Sequence, residues 1–239
     1  MSIHSLYVPE STLEAGESLT VGGDQAHHCI RVLRMVAGSK VHVRNGLGVR
    51  ADASVVKTVK ERGDWVMDVL IESSAVQPRI SPALHVFAAC PKGDRLPDMV
   101  DGLSQVGAVS FTPLLTEYTV VDPREGKVDR LRRVAAESLK QCGRDWLLEI
   151  GEPETLEAAL ARMKTRGVHV IVAEATGAAT GGQHPEAALF IGPEGGWSPG
   201  ELTRFQTGGV ELRRFGPHVM RVETAAVVAA AALVSPGIA

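Results

Sequence analysis

The sequence predicts a two-domain chain: a small β-barrel with one helix, then a larger α/β domain built on a mainly parallel sheet. Three observations carry this. Up to about residue 72, short runs alternate apolar and polar side chains with period two and are separated by turn residues. From Ser73 to Pro82 the chain loses its periodicity and carries two prolines, as an extended linker does. Beyond that stretch, apolar runs of strand length recur between segments of helical pattern, the alternation of a parallel sheet covered by helices.

The elements follow in order. Strands are expected at Ser18–Val21, Lys40–Arg44, Arg50–Val59 and Trp65–Glu72, with turns at Asn45-Gly46 and Arg62-Gly63-Asp64. One helix interrupts them, with Asp24 as its N-cap and Ile30, Val32 and Leu33 as its apolar positions. This places a first domain over residues 1–73, a linker over 74–82 and a second domain over 83–239. In the second domain, strands are expected at Leu84–Ala89, Val109–Leu115, Val168–Ala173, Ala188–Gly192 and Val210–Phe215. The alanine-rich run from Thr224 to Val234 has no polar face, so a buried helix is expected there, stopped near Pro236.

Composition narrows the class. With 44% apolar and 22% charged residues the chain is neither disordered nor membrane-like. MSIHSLYVPE lacks the basic start and apolar run of a secretion signal, and Ala225–Val234 is too short to span a bilayer, so the expected location is the cytoplasm. Cys29, Cys90 and Cys142 form no CxxC pair, which argues against a disulfide framework and a thiolate metal site. A net charge of −3 does not announce a nucleic-acid binder, yet arginines cluster at 31 and 34, at 130, 132 and 133, and at 213 and 214. Such runs are more often solvated faces.

Chemistry concentrates in two stretches. In the first, Leu189 to Glu201, a buried strand runs into a glycine-rich loop, and Ser198, Pro199 and Glu201 fit N-cap, N1 and N3 of a following helix. Ligands of parallel α/β sheets bind beyond the carboxyl ends of the strands, where glycines let the main chain approach them. The alternative is a tight turn with no ligand. The spacing matches neither the dinucleotide fingerprint nor the phosphate loop. In the second stretch, Leu212 to Ala225, a strand ends at Gly216-Pro217, and a short loop bearing Arg221, Glu223 and Thr224 leads into the last helix. The plain account of these residues is a surface pair between Arg221 and Glu223 plus a Thr224 cap. His27, His28 and His218 lack metal-binding spacing and read as surface or packing residues, so no metal is expected.

In combination, IGPEGG followed by Ser198-Pro199-x-Glu201, and FGPHVMRVETA, resemble the two signatures of RsmE, the bacterial family that methylates N3 of a uridine in 16S ribosomal RNA. Arg31 to Met35 with Gly38, Lys92 to Arg95, and Glu137 with Gln141 to Arg144 resemble its other segments in the same order. The resemblance implies a PUA-like barrel that helps bind RNA and a SPOUT-type methyltransferase domain whose C-terminal segment forms a trefoil knot. It also implies S-adenosylmethionine as cofactor, a homodimer that completes the site, and 16S RNA or the small subunit as partner. The cofactor is then expected on Ala173 and Glu174, on Ile191, Gly192, Pro193, Glu194, Gly195 and Gly196, and on Phe215, Gly216, Pro217, Val219 and Met220. Arg221, Thr224 and Ala225 complete that set.

Uridine N3 is poorly nucleophilic until deprotonated, so the protein must position the base and stabilise its anion. Arg221 and Glu223 are the expected catalytic residues: Arg221 stabilises the developing charge, and Glu223 either orients Arg221 or accepts a proton. Arg31 and Arg34, taken as one helical turn apart on one face, are expected to bind RNA together with Lys92, Arg95 and Arg144. The chain departs from the family at Asp101-Gly102, at Gln105 to Ala108 and at Tyr118, where two basic positions are absent. Two rival readings follow: a related enzyme acting on another base or a ribose of ribosomal or transfer RNA, or an RNA-binding assembly factor without catalysis.

Overall fold

The computed structural model describes residues 3–9, 11–61, 63–120 and 127–234. The chain forms two compact units, one containing the residues up to Arg79 together with Leu139–Leu147, the other Ile80–Ser138 with the residues from Leu148 onward. The first of these divisions falls between Arg79 and Ile80.

The first unit is a five-stranded sheet of order β1-β3-β4-β5-β2. Its strands are β1 (His4–Tyr7), β2 (Ser18–Val21), β3 (Lys40–Arg44), β4 (Val49–Glu61) and β5 (Asp64–Val76). The period-two pattern does what it predicts. Val41 and Val43 of β3, Ala51, Ala53 and Val55 of β4, and Met67, Val69 and Ile71 of β5 all face one core, joined by Leu6 and Leu13. β1 was not anticipated. It is four residues long and pairs parallel with β3, a partner distant in sequence that no local pattern encodes. The side chain of Gln25 then acts as a further strand partner, accepting from the Tyr7 N–H and donating to its carbonyl, both at 3.0 Å.

Three expectations in this unit are corrected. β5 continues through Ser74, Ala75 and Val76, which pair with Ala51, Arg50 and Val49 instead of lying in the linker. All three are exposed, so no apolar alternation marks them. The helix begins at Gly23 with Gly22, not Asp24, as its N-cap. It is also shorter than expected: α1 (Gly23–His27) passes into a π-helical turn (His28–Val32), and Arg34 lies beyond it with φ at +54°. Ala26 and Cys29 face the core, whereas Val32 and Leu33 are exposed. Ile30 still packs against the core, but the wider π turn carries Val32 and Leu33 away from the face that a continuous α-helix would have buried. Arg62 of the hairpin turn and Pro236 lie outside the described residues.

The segment 139–147 belongs to this unit by chemistry as well as proximity. Arg44 Nε donates to Asp145 Oδ1 at 2.9 Å, with both side chains nearly buried, and the same guanidinium bonds Ser5 Oγ. Main-chain bonds from Gly48 N to Asp145 O (2.9 Å) and from Leu147 N to Gly46 O (2.8 Å) add to it. Gly48 has φ at +90°, and a Cβ there would lie 2.3 Å from the Trp146 ring, so both the turn and the indole require glycine.

The second unit has a seven-stranded sheet. Its strands are β6 (Ala83–Ala88), β7 (Ser110–Leu115), β8 (Glu149–Ile150), β9 (Glu154–Thr155), β10 (His169–Ala178), β11 (Glu186–Ile191) and β12 (Glu211–Arg213). They run parallel in the order β12-β10-β11-β6-β7-β8, with β9 on β7. The helices are α2 (Arg95–Val106), α3 (Lys127–Cys142, of which the residues from Leu139 belong to the first unit), α4 (Leu156–Thr165), α5 (Pro199–Gly208) and α6 (Val222–Val234). Phe87 and Phe190 stack with centroids 4.6 Å apart in a core that also takes Leu156 and Met163 of α4 and Phe205 of α5. α6 packs on α2 and on β6 and β11. It is not buried all round, as its composition suggested: Ala226, Ala229 and Ala230 are buried while Val228 is exposed. Small side chains leave a helix able to bury one face and still look apolar on every side.

Gly102 lets α2 and α6 approach closely. A Cβ on this residue of α2 would come 2.7 Å from Val227 Cγ2 of α6, so the glycine provides the seat for that valine.

Candidate cofactor and RNA site

Beyond the carboxyl ends of β10, β11 and β12 lies a cavity of about 370 Å³, within the range of small-molecule sites. Three segments line it. Ala173, Glu174 and Ala175 come from β10; Ile191, Gly192, Pro193, Glu194, Gly196 and Trp197 from the end of β11 and its loop; residues 213–220 from the end of β12 and the loop after it, with Val222 and Ala225 from the start of α6. Thirteen of the sixteen expected cofactor residues are in this lining, so two loops separated by a helix and a strand do close on one space.

The loop after β11 is held from both ends. Ser198 Oγ accepts from Glu201 N (3.2 Å) while Glu201 Oε2 accepts from Ser198 N (2.8 Å), the expected capping box. The second carboxylate oxygen of Glu201 accepts from Glu117 N at 3.0 Å, so one buried acid also anchors the loop after β7. Glu194 Oε1 accepts from Lys92 N at 3.3 Å, which ties in the loop after β6. Trp197 is buried, donates from Nε1 to the Ala173 carbonyl at 3.1 Å and meets Phe205 edge-on at 4.9 Å. Its ring also lies against Gly192, where a Cβ would sit 3.0 Å from the indole.

Three expected cofactor residues stand elsewhere. Gly195 faces Tyr118, whose Cβ would lie 3.4 Å from a Cβ at that position. Arg221 and Thr224 are exposed and outside the lining. Conversely, Ala175, Trp197, Arg213, Arg214, His218 and Val222 line the cavity without having been expected to. All but Ala175 fall within the two stretches singled out from sequence. Arg213 and Arg214 were read only as a surface cluster because strand register, not spacing, decides that Arg213 is buried.

Glu223 does not pair with Arg221. Its Oε1 lies 3.4 Å from Arg95 Nε, and its Oε2 is buried with no hydrogen-bond partner among the described residues. The Arg221 to Glu223 surface pair is thus replaced by a contact between the starts of α2 and α6, and orienting Arg221 is not a role this arrangement builds.

Of the expected RNA ligands, Arg31, Arg34, Lys92 and Arg95 are exposed. Arg31 and Arg34 do not share a helix face, because Arg34 lies past the end of the π turn in a left-handed conformation. Arg31 instead stands 5.8 Å over the Trp65 ring, where Lys60 also lies at 5.8 Å. Arg144 is half-buried and donates to the Trp146 carbonyl, and burial lowers its pKa.

The family model described as an RNA methyltransferase domain matches residues 79–234, and that of an RNA methyltransferase PUA domain matches residues 21–62. The chain belongs to the RNA methyltransferase family. It is similar to ribosomal RNA small subunit methyltransferase E of Synechocystis, with 27% identity over 97% of this chain and 77% of the relative, and to that of Bacillus subtilis, with 23% identity over 98% and 96%. Among solved structures, a methyltransferase of Legionella pneumophila in complex with S-adenosylmethionine superposes with a TM-score of 0.83 at 27% identity, covering 99% of this chain and 98% of that one. Ribosomal RNA small subunit methyltransferase E of Neisseria gonorrhoeae, bound to S-adenosylmethionine, shares the fold with a TM-score of 0.84 at 20% identity, covering 99% and 98%.

Proposed function

We propose that this protein transfers the methyl group of S-adenosylmethionine to N3 of a uridine in the 16S RNA of the small ribosomal subunit. The observation that carries the reading is the cavity itself: in a member of the RNA methyltransferase family, the two glycine- and proline-bearing loops that resemble the uridine-N3 family line one space beyond the strand ends. Its residues fit the cofactor. The main chain of Gly192 and Gly216 is free of side-chain bulk, Ile191, Phe215 and Met220 supply apolar walls, and Glu174 supplies a carboxylate. When bound, S-adenosylmethionine supplies a methyl group already activated by its sulfonium.

The chain's own residues then have three tasks. The loops exclude water and orient the base beside the methyl group. Glu223 Oε2, a buried acceptor without a partner among the described residues and next in sequence to the cavity-lining Val222, takes the uracil N3 proton. Arg221, exposed one residue before α6, swings onto the uracil edge and stabilises its negative charge. Arg95 keeps the Glu223 carboxylate in place through their contact.

The reading extends to three further points. The chain leaves β12 at the sheet edge, lines the cavity through residues 214–220, and returns as α6 to pack on β6 and β11, a path that suits a trefoil knot around the cofactor. Exposed Val219 and Val228 suit a homodimer in which a second copy covers them. A ribosomal substrate implies work in the cytoplasm, and no helix among the described residues is long and apolar enough to cross a membrane.

The test is to incubate the protein with labelled S-adenosylmethionine and either naked 16S RNA or small subunits lacking the modification, then to identify the nucleoside by mass spectrometry. 3-Methyluridine supports the proposal. A methylated ribose or another base assigns the protein to a related activity, and cofactor binding without turnover assigns it to an assembly role.

A further inference from the structure

At the opposite ends of the same strands, the fold brings together three metal-ligating side chains that are distant in sequence. His169 opens β10, Glu211 opens β12, and His184 lies two residues before β11. These are three neighbouring strands of the parallel sheet. One donor atom from each lies within 4.8 Å of the others, and this is the only such trio of His, Cys, Asp or Glu among the described residues. Glu211 Oε2 is 2.8 Å from His169 Nε2 and 3.8 Å from His184 Nε2.

We infer that His169, His184 and Glu211 form a binding site for a divalent transition metal of the zinc type. Two imidazoles and one carboxylate are a donor set that zinc accepts, with a fourth position left for water. Ligands of a tetrahedral zinc ion, each about 2.0–2.1 Å from the metal, stand roughly 3.3 Å from one another. The two distances to Glu211 bracket that value, so one must open and the other close by about half an ångström. The His184 ring, now stacked on His169 with centroids 3.4 Å apart, must also swing aside. His184 sits at the end of an exposed glycine-bearing segment, where such a rotation meets little resistance.

The surroundings already orient this set. Glu211 Oε1 accepts from Arg213 Nε at 2.6 Å, which leaves Oε2 turned to the histidines. Arg213 Nη2 donates to the Gly182 carbonyl at 3.0 Å and so holds the loop that carries His184. Gly181 makes the close passage feasible, because a Cβ there would come 1.8 Å from Glu211 Oε1. Partners that hold ligands in this way are the usual second layer of a metal site. The Arg213 charge opposes a dication, so affinity should be micromolar, not the far tighter binding of a thiolate site. None of the three ligands lines the cofactor cavity, although Arg213 touches both sites, and the role of the metal is to clip the loop between β10 and β11 to the sheet.

The experiment uses full-length, tag-free protein stripped of metal with a chelator. Calorimetric titration with zinc chloride should show one ion per chain, and cobalt chloride should give the visible absorption of a four-coordinate N/O site. His184→Ala and His169→Ala should each weaken zinc binding about tenfold or more. His184→Gln serves as a second loop variant, and circular dichroism verifies that each variant is folded. Absence of saturable one-to-one zinc binding, or undiminished affinity in folded His184→Ala and His184→Gln, overturns the site.

Discussion

Gly192→Ala is the smallest change that tests the architecture of the cavity. The new Cβ would lie 3.0, 3.1 and 3.3 Å from three atoms of the Trp197 indole, closer than well-packed carbon atoms approach. Trp197 has little room to retreat, being buried, hydrogen-bonded to the Ala173 carbonyl and set edge-on against Phe205. The strain of inserting one methyl group into such packing is about 1–3 kcal/mol. If the loop absorbs it by moving into the cavity, S-adenosylmethionine affinity falls by roughly 5- to 150-fold. If the indole moves instead, the cost appears as lost stability. Calorimetric affinity and the thermal midpoint, measured together, capture both routes. Adding Trp197→Leu removes the clash and should return part of the affinity that Gly192→Ala loses. A Gly192→Ala protein with unchanged affinity and unchanged midpoint would refute the packing argument.

Arg221→Ala should lower kcat by roughly 10²- to 10³-fold with little change in KM, since its contact forms mainly as the uracil charge develops, and Lys should rescue only partly. Near-normal turnover would remove Arg221 from the chemistry. Asp145→Ala strands the nearly buried Arg44 charge and should destabilise the first unit by about 3–5 kcal/mol in denaturation followed by tryptophan fluorescence. The Arg44→Met, Asp145→Leu double variant should recover most of that loss, and a single variant of wild-type stability would count against the pair. Gly102→Leu should destabilise α2 against α6, because its Cβ alone would already press on Val227, and Val227→Ala should relieve it in the same melting experiment. Native protein should be alkylated at exposed Cys142 well before buried Cys29, whose thiol pKa burial raises; equal labelling rates in a mass-spectrometric time course would contradict the first-unit core.

Much of the fold was legible because it is written locally. Alternation in Lys40–Arg44 and in the long hairpin, apolar runs of parallel strands, and the Ser198 to Glu201 capping box each depend on residues a few positions apart. The two motif-bearing loops were readable for the same reason. What sequence misjudged depends on register or on distant partners. The Arg31–Arg34 spacing fits a helix, but the π turn and the left-handed Arg34 separate the two side chains. Glu223 seemed paired with its neighbour Arg221, yet the packing of α6 on α2 gives it Arg95. Gly195 sits in the glycine motif but faces Tyr118, while Arg213, read as surface, is buried beside the cavity.

The sequence by itself therefore determined the longer strands, the last helix and which loops carry chemistry, because propensity, capping and periodicity act over one or two turns of chain. Only the tertiary structure decided that residues 139–147 complete the first unit through Arg44 and Asp145, and that the ends of β10, β11 and β12 enclose one cavity. It likewise decided that His169, His184 and Glu211 meet at the other end of those strands. Such meetings are set by strand order and register, which arise from burying all the apolar faces at once, and no short stretch of sequence contains that information.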